Sequence, residues 1–185
     1  MNLIMDNKTR NIINLTHSIC SSFLSYNYIL NPVISIKKII FFTSHTFFLY
    51  DTMNILDEHY LDILHHILSC FTLISFYIGY YEKILIQLFF FAEISNVAIF
   101  GHYHIIKTIE NENIVLFSSI IEFLWYTYFR VFCMTQILID NYDLILFTPL
   151  SVLLIIYYMS IDWSYTLFNN LYNNLKVKYF IDKKI

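Results

Sequence analysis

A chain of 185 residues that is 58% hydrophobic, 19% aromatic and only 14% charged, with two glycines and two prolines, is not composed like a soluble domain, which carries roughly 25% charged residues. Its net charge of -3 offers no basic field for nucleic acid, so no nucleic-acid partner is expected. Cys20, Cys70 and Cys133 form no CxxC pair and lie in apolar stretches. They read as buried free thiols, not as a disulfide or zinc framework. Six apolar stretches follow in chain order, each near the ~20 residues that one bilayer crossing takes. Residues 11–30 are the most polar of them, and residues 39–56 are interrupted by Asp51. Residues 60–81 carry the adjacent pair His65 and His66, and residues 84–106 carry Glu93. Residues 114–139 hold Glu122 and Arg130, and the sixth stretch runs from 144 to about 167.

Turn chemistry separates the stretches. It falls at Asn31-Pro32, Asp57-Glu58, Glu82-Lys83, Glu110-Asn111-Glu112-Asn113 and Asp140-Asn141-Tyr142-Asp143. Connections this short leave no room for a separate soluble domain. The expected organisation is a membrane domain over 7–170 and a short basic tail over 171–185. Helix is the default for each span, because only helices and closed barrels satisfy their backbone in lipid. Barrel strands need alternating segments of ~10 residues, and these runs are continuously apolar. The fold class is therefore an all-α polytopic bundle of about six transmembrane helices. Pro149 should bend or break the sixth. No cleavable signal peptide is expected, since the first apolar stretch lacks a small-residue cleavage site. The tail lysines Lys176, Lys178, Lys183 and Lys184 place the C-terminus in the cytoplasm. Six crossings put Lys8, Arg10 and Lys107 on that side and Lys37, Lys38 and Lys83 on the other.

Ionisable side chains at membrane depth are costly and normally face a bundle interior or a cavity. With this topology, Asp51, Asp62, His65, His66 and Glu122 gather toward the cytoplasmic face, and Glu93 sits near mid-membrane. Asp62, His65, His66 and Ser69 are three or four residues apart along one helix. A carboxylate on one imidazole nitrogen fixes the tautomer and raises the basicity of the other. A general base or a histidine nucleophile needs that arrangement. The plainer alternative is a pair of packing histidines near the headgroups. Glu93 and Asn96 share a face, and Arg130 is the expected partner for Glu93 or Glu122, either fixing helix register or facing a substrate. His102 and His104 read as interfacial residues.

These residues also carry a family resemblance. The strings Tyr50-Asp51, Leu64-His65-His66-Ile67-Leu68-Ser69 and Ala92-Glu93-Ile94-Ser95-Asn96 resemble the TLC-domain family of multi-pass membrane proteins. That family includes ceramide synthases and the smaller TLCD proteins. Arg10 followed by His17, Phe129-Arg130 and Asp162-Trp163 extend the resemblance over nearly the whole chain. The match is closer to the TLCD branch. Ceramide synthases have a threonine where Ser69 stands, and an aspartate pair where this chain has Glu93 with Ser95-Asn96. The resemblance implies a membrane protein that binds or processes lipid in sphingolipid or acyl-lipid metabolism or in membrane lipid homeostasis. It implies His65, His66 and Asp51 as catalytic candidates, and Asp62, Ser69, Glu93, Asn96 and Arg130 as substrate-binding candidates. The reaction implied is acyl transfer from acyl-CoA, a co-substrate, with no metal and no bound cofactor. The expected partners are a membrane lipid and a second copy in a homo-oligomer, in the endoplasmic reticulum or another endomembrane. A lipid-binding or lipid-regulating protein without turnover is the alternative. A proton-coupled transporter would use Glu93, Arg130 and His65 as a relay, but no inverted repeat is visible. Di-iron or haem chemistry would need more clustered histidines than these seven provide.

Overall fold

The computed structural model describes residues 7–54 and 60–182, and the side chains among them up to residue 176. The expected Asp57-Glu58 turn and tail residues Lys183 and Lys184 lie outside the described residues. Among the described residues there is no strand. Helix α1 spans Asn7–Leu30, α2 Ile34–Asn54, α3 Tyr60–Tyr77 and α4 Glu82–Thr108. Helix α5 spans Glu112–Tyr126 and runs through a π-helical turn, Thr127–Cys133, into α6, Met134–Asp140. A short α7, Tyr142–Leu146, and a 3-10 turn, Pro149–Ser151, precede α8, Val152–Asp182.

Cross-helix contacts give the order of packing. Arg10 meets Asp51 and His17 meets Ser44, so α1 and α2 are antiparallel. His17 meets Glu93 and Tyr28 meets Glu82, so α1 also runs antiparallel to α4. His102 meets Ser118, and Trp125 donates to the Ile94 carbonyl, which places α5 against α4. Arg130 meets Ser160 and Thr127 meets Ser164, which places α8 against the α5 rod.

Local chemistry accounts for most of the breaks. Glycine at position 79 takes a φ of +92° in the α3–α4 turn, a conformation open to residues without a Cβ. That turn falls at residues 78–81, and Glu82 belongs to α4 instead of the loop in which its neighbour Lys83 had suggested it. The Asn111 side chain accepts from the amides of Asn113 and Ile114, at 3.0 and 3.3 Å, and caps α5. The break expected at Pro149 is present. Pro149 has no N–H to continue the ladder, and Thr148 Oγ1 accepts from the Leu150 amide at 3.2 Å to start the new helix. Helix α8 does not end near residue 167 but continues to Asp182.

Four helical segments are long and apolar enough to cross a membrane: Tyr60–Tyr77, Glu82–Thr108, Glu112–Asp140 and Pro149–Lys176. Only 11% to 33% of the residues in their apolar windows are buried, and Ile67, Phe71, Phe117, Leu124, Phe132 and Ile155 are among the apolar side chains that face outward. Helix α1 shows the same inversion. It buries Asn14, Ser18, Ser21, Ser22 and Ser25, and exposes Ile12, Ile19, Phe23, Tyr26 and Leu30. Cys20 lies on that exposed face, against the expectation that all three thiols are buried. In α2, Lys37, Ser44 and Asp51 are buried while Phe42, Leu49 and Met53 are exposed. A helix surrounded by water would do the reverse. Small residues at such interfaces let helix backbones approach closely.

The bundle end opposite Asp51 is closed by ions. Lys37 pairs with Glu82, and Tyr28 donates its hydroxyl proton to the same carboxylate. Lys37 also lies 5.3 Å from the centre of the Phe76 ring. Glu82→Ala strands a lysine that is only 8% exposed at its side chain. The expected loss is about 2 kcal/mol, discounted because the carboxylate itself is partly exposed. Adding Lys37→Met should restore most of it, which unfolding in detergent can measure.

Candidate functional site

A cavity of about 320 Å³ opens among α1, α2, α3, α4 and α8. Its polar wall begins with Asp51, buried at 3% exposure on α2. Arg10 of α1 grips this carboxylate with Nε at 2.9 Å and Nη2 at 3.4 Å. A fork of this kind holds a carboxylate in one orientation. His66 Nε2 stands 3.6 Å from the other oxygen of Asp51, and Thr52 Oγ1 lies 3.3 Å from His66 Nδ1. Local spacing pointed to Asp62 as the carboxylate beside the histidines. Asp62 lines the same cavity, but Asp51, from the neighbouring helix, stands against His66.

A second chain of contacts fixes Glu93. His17 Nδ1 lies 3.5 Å from Glu93 Oε2, and the His17 ring stacks on Phe47 with centroids 3.7 Å apart. His17 Nε2 is held by Ser21 at 3.0 Å and Ser44 at 3.2 Å. Glu93, 2% exposed, faces His17 of α1 and also lines the cavity.

Arg130 sits in the middle of the π-helical turn Thr127–Cys133. Single π-turns inside α-helices recur at functional sites, because the extra residue re-aims a side chain. Arg130 is 1% exposed, as expected for a buried arginine. Its hydrogen-bond partners are not acids, and of the two expected acids Glu93 lines the same small cavity as Arg130. Nε donates to Ser160 Oγ at 3.1 Å, and Nη2 lies 3.5 Å from His65 Nε2. Glu122 instead faces His102, at 3.5 Å. His102 is therefore a paired residue within the bundle, with Nδ1 2.7 Å from Ser118 Oγ, where an interfacial residue was expected.

The fold brings the sequence-derived candidates together. Asp51, Asp62, His65, His66, Glu93 and Asn96 all line the 320 Å³ cavity. Ser69 and Arg130 line a smaller adjoining cavity of about 40 Å³, which His65 and Glu93 also border. Phe47, Phe48, Ile99, Phe100, Trp163 and Leu167 supply the apolar side of the larger one. Asn14 and Ser18 were missed, and Arg10 and His17 were not among the site candidates. Their signal was a polar stripe at positions 10, 14, 17, 18 and 21, one face of a helix within an apolar stretch.

No family model, curated protein or solved structure matches this chain. The site must be read from its own chemistry. Among the described residues, no three His, Cys, Asp or Glu side chains are placed to hold a metal ion. What the geometry provides is an imidazole oriented by a clamped carboxylate, a second imidazole against a guanidinium, and an aromatic wall beside both.

Proposed function

We propose that the chain is a six-crossing integral membrane protein of the TLC-domain type that binds a membrane lipid in the 320 Å³ cavity and processes it at His66. The observation that carries this reading is the His66–Asp51–Arg10 array facing an aromatic wall in one cavity. The volume lies at the lower end of the range for small-molecule sites, ~300–1,000 Å³, enough for a headgroup and the first carbons of a chain.

The crossing count rests on α1 and α2. Their 24 and 21 residues span ~36 and ~31 Å at ~1.5 Å per residue, against a hydrocarbon core of ~30 Å. Both turn apolar residues outward and polar residues inward. Lys37, Lys38 and Lys83 count against the expected orientation, and the tail lysines with Lys8, Arg10 and Lys107 outnumber them. Basic residues then leave both termini in the cytoplasm. Cys20, on the outward face of α1, tests the count. In a Cys70→Ser/Cys133→Ser background in sealed vesicles, it should resist a membrane-impermeant maleimide from either side until the membrane is dissolved. Rapid labelling from one side would remove α1 from the bilayer.

The chemistry this site supports is acyl transfer from a thioester such as acyl-CoA to a long-chain amine. His66 takes the proton of the attacking amine, the new C–N bond forms, the C–S bond breaks, and the proton passes to the departing thiolate. Asp51 orients the ring and stabilises its cationic form. Binding without turnover is the competing reading. It is favoured by the engagement of Glu93 with His17, which turns one cavity carboxylate toward α1. Lipid profiling of cells expressing wild type or His65→Ala/His66→Ala at equal protein level separates the outcomes. Loss of a product and accumulation of its precursors supports transfer. A profile that follows protein level alone supports binding only, and no change with either chain removes the lipid reading.

A further inference from the structure

A second cavity, of about 430 Å³, lies between the C-terminal halves of α4, α5 and α8. Its lining differs in kind from the first. Asn170, Asn173 and Asn174 stand three and four positions apart on one face of α8. Opposite them, Glu122 is buried at 8% exposure and faces His102 at 3.5 Å. Tyr103 supplies an aromatic wall, and no lysine or arginine is among the lining residues described. The ammonium of Lys107 lies 5.7 Å from the centre of the Tyr103 ring.

Three amides, each both donor and acceptor, with a carboxylate and an imidazole, match neighbouring hydroxyl groups. A phosphate would meet Glu122 without a lining arginine or lysine to offset it. Ile99 and Leu167 line both this cavity and the first, so an apolar wall runs between the two. We propose that the second cavity binds the uncharged, hydroxyl-rich head of a lipid, a glycerol or a sugar, whose chain lies along the Ile99–Leu167 wall. This site stands whether or not His66 turns a lipid over.

Native mass spectrometry of the full chain released from detergent tests it, with monoglucosyl diacylglycerol as the probe. Phosphatidic acid of the same chains and free methyl glucoside are the comparison arms. The glucolipid should be retained, and the other two should not be at equal concentration. Asn170 and Asn174 are exposed, so Asn170→Leu/Asn174→Leu should leave the fold intact and weaken glucolipid binding about tenfold. Equal retention of phosphatidic acid, saturation by methyl glucoside alone, or unchanged binding in the variant would each overturn the proposal. A wild-type measurement needs no variant at all. A photoreactive group on the glucose should label residues 102–106 or 170–174, and labelling confined to residues 47–66 overturns the site. His66→Ala should still bind the glucolipid. Loss of binding there would move the ligand to the first cavity and overturn the second site alone.

Discussion

Arg10→Ala should destabilise the folded protein by about 3 kcal/mol, and Asp51→Asn by no more than about 1.5 kcal/mol. The two substitutions break the same pair, but they leave different groups behind. The Asp51 side chain is 4% exposed and the Arg10 side chain 18%. Without Arg10, a buried carboxylate loses both guanidinium contacts and keeps only His66, 3.6 Å away. Without the Asp51 charge, Arg10, near the start of α1, can redirect its long side chain toward the headgroups. The asparagine also keeps a carbonyl oxygen for it. Unfolding of the purified protein in detergent would order the variants. Equal losses, or a larger loss for Asp51→Asn, would show that Asp51 is not the buried member of the pair. The double variant Arg10→Ala/Asp51→Asn should recover part of the Arg10→Ala loss, since neutralising the carboxylate removes the stranded charge.

The helices were legible because apolar runs of bilayer length leave few alternatives. The break at Pro149 follows from the sequence. Partners were less legible than positions. Intrahelical spacing put Asp62 beside the histidines and the resemblance added Asp51; both line the cavity, and the approach of α2 to α3 that brings Asp51 to His66 cannot be read from spacing. Arg130 was placed correctly in the interior, but its direction was not. The π-turn at Thr127–Cys133 has no composition signature, and Arg130 within it hydrogen-bonds to α8 and meets α3 in a small cavity that Glu93 also borders. The inward polar stripe of α1 was visible in the spacing of its serines, yet it reads at first as a weak membrane span. Its meaning depends on α2 and α4 standing against it. The far end of the bundle carries the same lesson. Glu82 beside Lys83 looks like a turn, and only the fold reveals that its charge belongs to Lys37.

Adjacent histidines on one helix face different neighbours, and that predicts different losses on removal. A guanidinium only donates, so His65 Nε2, 3.5 Å from Arg130 Nη2, serves as the acceptor. Its proton then resides on Nδ1, and the ring is neutral with its basic nitrogen engaged. His66 has the opposite surroundings, with Asp51 at 3.6 Å from Nε2 and a hydroxyl at 3.3 Å from Nδ1. That ring can gain a proton and be stabilised in doing so. His65→Ala should therefore act mainly on stability, by about 1–3 kcal/mol, because it strips an acceptor from a buried arginine. His66→Ala should leave the melting temperature close to wild type. If the bound lipid is turned over, His66→Ala should lower the rate about 10²–10⁴-fold, the contribution expected of a positioned acid–base group. Melting curves and lipid conversion on the same preparations read both effects. A large loss of stability in His66→Ala, together with full activity in the folded fraction, would reduce His66 to a packing residue. A rate loss confined to His65→Ala would exchange the two roles and leave the Arg130 contact as part of the catalytic machinery.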